Sequence, residues 1–127
     1  MSANKGPLSG IRVLDLGRHI SCPTCGMTLG DLGAEVIKVE KRIWGDDTRH
    51  SGEEYKGVNL YYPTENRNKK SVTINFRSDE GKKLLRELIE KSDVLIENFR
   101  PGTMEKLGLG YETLKELNPG LVYGCVS

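Results

Sequence analysis

The tripeptide Asn-Phe-Arg occurs twice in this chain, as Asn75-Phe76-Arg77 and as Asn98-Phe99-Arg100, and the only two phenylalanines both lie in these copies. Each copy follows a short apolar run, Ser71-Val72-Thr73-Ile74 in one case and Asp93-Val94-Leu95-Ile96-Glu97 in the other. An aromatic face can stack on a heteroaromatic base, a guanidinium can grip phosphate, and a carboxamide can bond polar edges. Presented twice, the combination suits a nucleotide-like ligand. The competing reading is chance recurrence of a strand-end capping triplet.

Other side chains could do chemistry. Lys38, Lys41, Arg42, Lys69, Lys70, Arg77 and Arg100 all fall at or near expected strand ends. Lysines scattered over a solvated face are the ordinary explanation. Gathered on one sheet edge they would hold a phosphate-bearing ligand, each charged hydrogen bond contributing about 1.5–3 kcal/mol. Asp15, Glu40 and Glu97 occupy similar places, where Glu40 and Glu97 could act as general bases or simply cap turns and pair with those cations. Cys22-Pro23-Thr24-Cys25 is a Cys-x-x-Cys at a helix start, where the helix dipole would lower the leading thiol's pKa. A thioredoxin-like redox module is therefore the rival reading, although the preceding Arg18-His19-Ile20-Ser21 lacks a tryptophan. Zinc needs four ligands, and His19, Cys22 and Cys25 would have to recruit a distant His50 or Cys125. No Gly-x-Gly-x-x-Gly or Gly-Lys-Ser/Thr loop follows the first strand, which argues against a standard dinucleotide site or a P-loop kinase.

The elements that must position these residues alternate strand and helix. Ile11–Leu16 reads as a strand with apolar residues on both faces, as buried parallel strands do. Gly17–Ser21 turns, a helix capped by Ser21 or Cys22 runs to Gly33, and Val36–Val39 is the second strand. Glu40–Lys56 is a long polar connection of the kind that forms lids or binding loops. Asn59–Glu65 suggests a short helix, and Asn66–Ser71 a basic turn before the third strand. Ser78–Lys91 is an amphipathic helix with Ser78 as its cap and Leu84, Leu85, Leu88 and Ile89 on one face. The fourth strand ends at Glu97, short helices cover Thr103–Lys106 and Tyr111–Leu117, and Leu121–Val126 is a fifth strand. This βα alternation predicts an α/β fold with a parallel sheet and right-handed crossovers. It places both triplets at the carboxyl ends of neighbouring strands, where open α/β sheets bind ligands.

A chain of 127 residues with 36% hydrophobic residues amounts to one domain with a real core. A net charge of +1 argues against a general nucleic-acid or membrane-surface binder. No apolar run approaches a bilayer span, and Met1 to Leu8 shows no targeting pattern. Three cysteines, an odd count, make a secreted disulfide scaffold a poor fit, so the expectation is a cytoplasmic protein.

Several ordered segments resemble the amino terminus of the class III CoA-transferases, the CaiB/BaiF family. They are Leu8-Ser9-Gly10-Ile11-Arg12-Val13-Leu14-Asp15-Leu16, Gly30-Asp31-Leu32-Gly33-Ala34-Glu35-Val36-Ile37-Lys38-Val39-Glu40, Gly45-Asp46-Asp47-Thr48-Arg49, Asn66-Arg67-Asn68-Lys69-Lys70-Ser71 and Glu97-Asn98-Phe99-Arg100-Pro101-Gly102. The similarity runs from Leu8 to Ser127, and its closest look is to the branch that handles small dicarboxylic acids. The resemblance implies a Rossmann-like, mainly parallel sheet with helices on both faces, within an interlocked homodimer. It implies coenzyme A as substrate and acyl carrier, without a metal. The implied partners are CoA, acyl-CoA thioesters and small carboxylic acids, with no nucleic acid and no membrane. CoA contacts would fall on Ile20, Ser21, Lys41, Ile74, Asn75, Phe76, Arg77, Asn98, Phe99, Arg100 and Lys106. The family's chemistry passes through an aspartyl-acyl anhydride and a thioester. That aspartate, and the family's small domain, would lie beyond Ser127, so residues 1–127 are expected to be the CoA-binding part of the large domain and to have no activity alone. An acyl-CoA racemase of the same family would likewise carry its acid-base pair beyond Ser127. One departure is Ser21-Cys22-Pro23, where the family usually has Ala-Gly-Pro and where a cysteine could narrow the approach to the ligand.

Overall fold

The computed structural model describes residues 6–126; the reading of residues 1–5 and the position of Ser127 lie outside them. In chain order the main elements are β1 (Arg12–Asp15), α1 (Ser21–Asp31), β2 (Glu35–Glu40), β3 (Glu54–Tyr55), β4 (Val58–Asn59), α2 (Tyr61–Asn66), β5 (Lys69–Thr73), α3 (Asp79–Glu90), β6 (Val94–Glu97), α4 (Thr103–Lys106), α5 (Tyr111–Leu117) and β7 (Val122–Cys125). Five strands form one sheet in the order β5-β2-β1-β6-β7, and every pairing in it is parallel. The α/β expectation is borne out.

Alternation along the strands builds a core on each face of the sheet. Leu14 of β1 and Leu95 of β6 pack with Leu85, Ile89, Met104, Leu109 and Leu114 of the α3, α4 and α5 layer. Val13, Val36 and Ile96 face the other way, against Cys22 and Leu29 of α1. Helix α3 starts where Ser78 Oγ accepts the Gly81 amide, as expected, with Asp79 and Glu80 in its positive first turn. Its buried stripe is narrower than expected: Leu85 and Ile89 are fully buried, but Leu84 is 52% exposed.

Two expectations need correction. Helix α1 has no side-chain cap; it begins at Ser21 with Ile20 at the N-cap. Lys69 and Lys70 are not in a turn but open β5. The long polar connection carries local structure of its own: Asp46 caps a 3-10 turn at Asp47–His50, and β3 and β4 then form a small hairpin.

The larger correction concerns the triplets. β5 and β6 are consecutive parallel strands of the sheet, but β2 and β1 lie between them. The chain lays β1, β2 and β5 outward in one direction, then returns past β1 to place β6 and β7 on the other side. The direction of winding therefore reverses between β1 and β6, and the carboxyl end of that junction is where an open α/β sheet leaves a crevice. No helix among the described residues is long and apolar enough to cross a membrane.

Candidate functional site

At the reversal point β1 ends in Asp15, and the chain turns through Gly17 and Arg18 into α1. The Gly17 amide donates to Asp15 Oδ1 at 2.8 Å. A Cβ at Gly17 would lie 2.3 Å from Cys22 Cβ, so only glycine allows the turn to pass this close to the helix. Asn98, at the end of β6, receives the Arg18 amide on Oδ1 at 2.8 Å. Its Nδ2 donates to the Arg18 carbonyl at 2.8 Å and to Ser21 Oγ at 3.2 Å. The Arg18 guanidinium is held 4.9 Å from the centre of the Phe99 ring, within cation–π range. Phe99 in turn packs on Phe76, ring centres 6.1 Å apart and tilted by 54°. The two triplets thus meet across the ends of β2 and β1, although their strands do not touch.

Beside this contact a groove of about 510 Å³ is lined by Arg18, Lys41, Arg42, Ile43, Ile74, Asn75, Phe76 and Arg77. Four cations and three apolar side chains border one concavity. Such a lining suits a ligand with phosphate and an apolar or heteroaromatic body. Burial draws the Arg18 guanidinium's pKa down, Asp47 and Asp46 work against that, and Arg77 adds to it. An anion entering the groove would relieve the mutual repulsion of Arg18 and Arg77.

The outer wall is the segment 41–50, anchored from below. Glu40 accepts Arg49 through both nitrogens at 2.7 and 2.8 Å, Ser71 Oγ and Tyr62 OH at 2.7 Å each, and the Asp46 amide at 2.9 Å. Burial acts to raise this carboxyl, but the hydrogen bonds outweigh it and bring its pKa down to about 2. Glu40 is therefore an anchor, not a general base. Lys41 Nζ contacts both Asp47 oxygens, at 3.0 and 3.2 Å. Glu97 accepts the Phe99 amide at 2.7 Å and Tyr123 OH at 3.1 Å, which makes it a turn cap.

Lys41, Ile74, Asn75, Phe76 and Arg77 come together in the groove, with Phe99 adjoining through Phe76. Ile20 and Ser21 sit exposed at the start of α1. Arg100 borders a separate concavity of about 260 Å³ with Phe99, Met104 and Tyr123. Lys106 lies in a third, between α3 and α4, with Lys82, Lys83 and Arg86. The triplets are not equivalent. Phe76 is only 9% exposed and belongs to the core. Both halves of the Asn98 carboxamide are taken by the Arg18 backbone and Ser21, whereas Asn75 is exposed and its Oδ1 accepts only the Arg77 amide, at 3.3 Å.

Four of the seven strand-end cations are elsewhere, Arg100 in its separate concavity and three others paired or buried away from the groove. Lys38 is fully buried, Lys69 pairs with the buried Asp15 at 2.7 Å, and Lys70 pairs with Glu35 at the amino edge of the sheet. Arg18 and Ile43 are the groove residues that sequence reasoning missed; the signal for Arg18 was its place just past the first, central strand.

The redox reading fails on Cys22. Its thiol is buried 3.9 Å from Asp15 Oδ1, and burial, the Asp15 carboxylate and Cys25 push its pKa up, against the weaker pull of Lys38 and Lys69. A leading redox thiol needs the opposite shift. The same burial places this side chain under Gly17, away from the groove. Among the described residues no three His, Cys, Asp or Glu side chains converge as a metal site.

The sequence profile of CoA-transferase family III matches residues 8–127. The chain belongs to this family. It is 51% identical, over 95% of its length, to a succinyl-CoA–D-citramalate CoA-transferase of Chloroflexus aurantiacus. To the human succinyl-CoA:glutarate CoA-transferase it is 46% identical over 98%. It spans 30% and 28% of those two proteins. Among solved structures, a CaiB/BaiF family protein from Brucella suis superposes with a TM-score of 0.89 at 45% identity, over 96% of this chain and 33% of that one. The family membership and the α/β fold inferred from the sequence are therefore borne out.

Proposed function

We propose that residues 1–127 form the CoA-binding part of a CoA-transferase that moves CoA between small carboxylic acids, dicarboxylates such as succinate among them. The observation that carries the reading is the groove at the β1/β6 reversal point, where Arg18, Lys41, Arg42 and Arg77 surround Ile43, Ile74 and an edge of Phe76. CoA combines phosphates with a heteroaromatic base and an apolar arm. The cations would take the phosphates, each charged hydrogen bond contributing about 1.5–3 kcal/mol. Asn75 would bond a polar edge of the ligand, and Asn98 would act indirectly, by fixing Arg18. Ile20 and Ser21 would flank the ligand from the start of α1. Arg100 and Lys106 would contact it only if it extends past Phe99 or around α3. The relatives named for succinyl-CoA support the dicarboxylate preference.

The reading includes a homodimer, and a nucleophilic aspartate supplied from outside these residues. Asp15 does not fit that part, because it is buried and bound to Lys69 and the Gly17 amide. The test is a calorimetric titration of the protein with CoA and with dephospho-CoA, beside an assay for CoA exchange between succinyl-CoA and glutarate. Saturable CoA binding, weaker for dephospho-CoA and without turnover, is expected. A folded chain that binds neither ligand would overturn the reading.

A further inference from the structure

Lys38 is a fully buried lysine in the middle of the sheet that does not line the groove. Its ammonium donates to the Gly17 carbonyl at 2.8 Å and sits 2.9 Å from Asp46 Oδ2. The first contact holds one end of the Gly17–Arg18 peptide plane. The other end of that plane is the Arg18 amide, held by Asn98 Oδ1 at 2.8 Å. The second contact reaches Asp46, whose other oxygen accepts the Thr48 amide and hydroxyl at 2.9 and 2.7 Å and shapes the 41–50 segment. Arg18 stands on one wall of the groove, and Lys41, Arg42 and Ile43 stand on the other.

We infer that Lys38 is a positioning residue: a single buried ammonium ties the Arg18 turn to the 41–50 segment and so sets the spacing and orientation of the groove's two cationic walls. A buried lysine costs free energy to desolvate, and stability alone can be had from an apolar side chain of similar volume. An ammonium has three donors, which suits it to bridging a carbonyl and a carboxylate on different segments. Each of its two partners lies within a residue or a short turn of a groove cation. The identity of the ligand rests on the CoA reading, but the tie itself does not.

The test uses Lys38→Met combined with Asp46→Asn, which removes the tie without leaving an unpaired buried charge and keeps Oδ1 for Thr48. Amide hydrogen exchange, read by NMR without ligand, should show at least roughly tenfold faster exchange at Arg18, the equivalent of one lost charged hydrogen bond. The β1 and β6 amides of Leu14 and Ile96 should be unchanged. CoA affinity should fall about tenfold, and adding Arg18→Ala to the double variant should cost little more, because both changes act through one side chain. Unchanged Arg18 exchange in a folded variant overturns the inference, as does an Arg18→Ala effect that is fully additive. If the variant does not fold, 15N-lysine NMR of the wild-type protein decides. Two ammonium signals with slow solvent exchange are expected, from the buried Lys38 and Lys69, and one of them should be absent in Lys38→Arg; if Lys38→Arg removes no slow signal, the inference is overturned. If wild-type protein binds no CoA, the exchange results still judge the tie, and only the ligand reading falls.

Discussion

Replacing Glu40 with Gln should destabilise the fold at neutral pH and remove part of its acid sensitivity. Five hydrogen bonds converge on this carboxylate. Ser71 and Tyr62 hydroxyls can turn to accept from a carboxamide, but the Arg49 guanidinium and the Asp46 amide can only donate. The depression of the carboxyl from 4.5 to about 2 corresponds to about 3 kcal/mol of linked stability. The folded pKa lies below the unfolded one, so this contribution is complete above about pH 4.5 and is lost as the pH falls towards 2. Other buried carboxylates lose stability in acid too, so the informative quantity is the difference between wild type and Glu40→Gln. Urea unfolding followed by far-ultraviolet circular dichroism, repeated from pH 7 to pH 2.5, should show that difference at about 2–3 kcal/mol at neutral pH. It should shrink steadily below pH 4.5. A difference that is absent at pH 7, or that stays constant across the range, would refute the argument.

Gly81→Ala should cost about 1–3 kcal/mol, because a Cβ there would fall 1.9 Å from the Asn75 carbonyl oxygen. Since that carbonyl belongs to the first triplet, thermal melting and CoA titration should both register the change. Thiol labelling of the native protein should modify Cys25 readily and leave the buried Cys22 untouched until denaturant is added. Cys125 should lag Cys25 despite its exposure, because the bond to Glu97, with some desolvation and repulsion from Glu97 and Glu105, pushes its pKa up to about 11.

Local pattern carried the elements well. The short apolar runs of β1 and β6, the Ser78 cap and the stripe of α3 all act within a few residues, so they are visible in the sequence. The order of strands is set by how whole layers wind. The right-handed crossover rule fixes the hand of each βαβ step but not on which side of β1 the fourth sheet strand returns. That is why the triplets were expected on adjacent strands and are instead brought together by their side chains. The buried lysines were hidden for a related reason. A lysine reads as solvated unless its partner is known, and Lys69 finds Asp15 across 54 positions of sequence. Phe76 and Phe99 looked like equivalent platforms. Phe76 is buried in the core with Ile74, Leu85 and Ile89, while Phe99 packs against that core only partly buried, with Arg18 over its ring. Five of the expected contacts, Lys41, Ile74, Asn75, Phe76 and Arg77, do share one groove, and the triplet chemistry was the feature that pointed to it.

The most direct test of the central claim is a pair of CoA titrations on stably folded variants, Arg18→Ala/Arg77→Ala against Arg100→Ala/Lys106→Ala. If CoA phosphates bind at the β1/β6 groove, the first pair should lose about a hundredfold in affinity and the second no more than about tenfold, at one charged contact per removed side chain. Undiminished binding by Arg18→Ala/Arg77→Ala, or a loss confined to Arg100→Ala/Lys106→Ala, would contradict the account and move the site to the far side of Phe99.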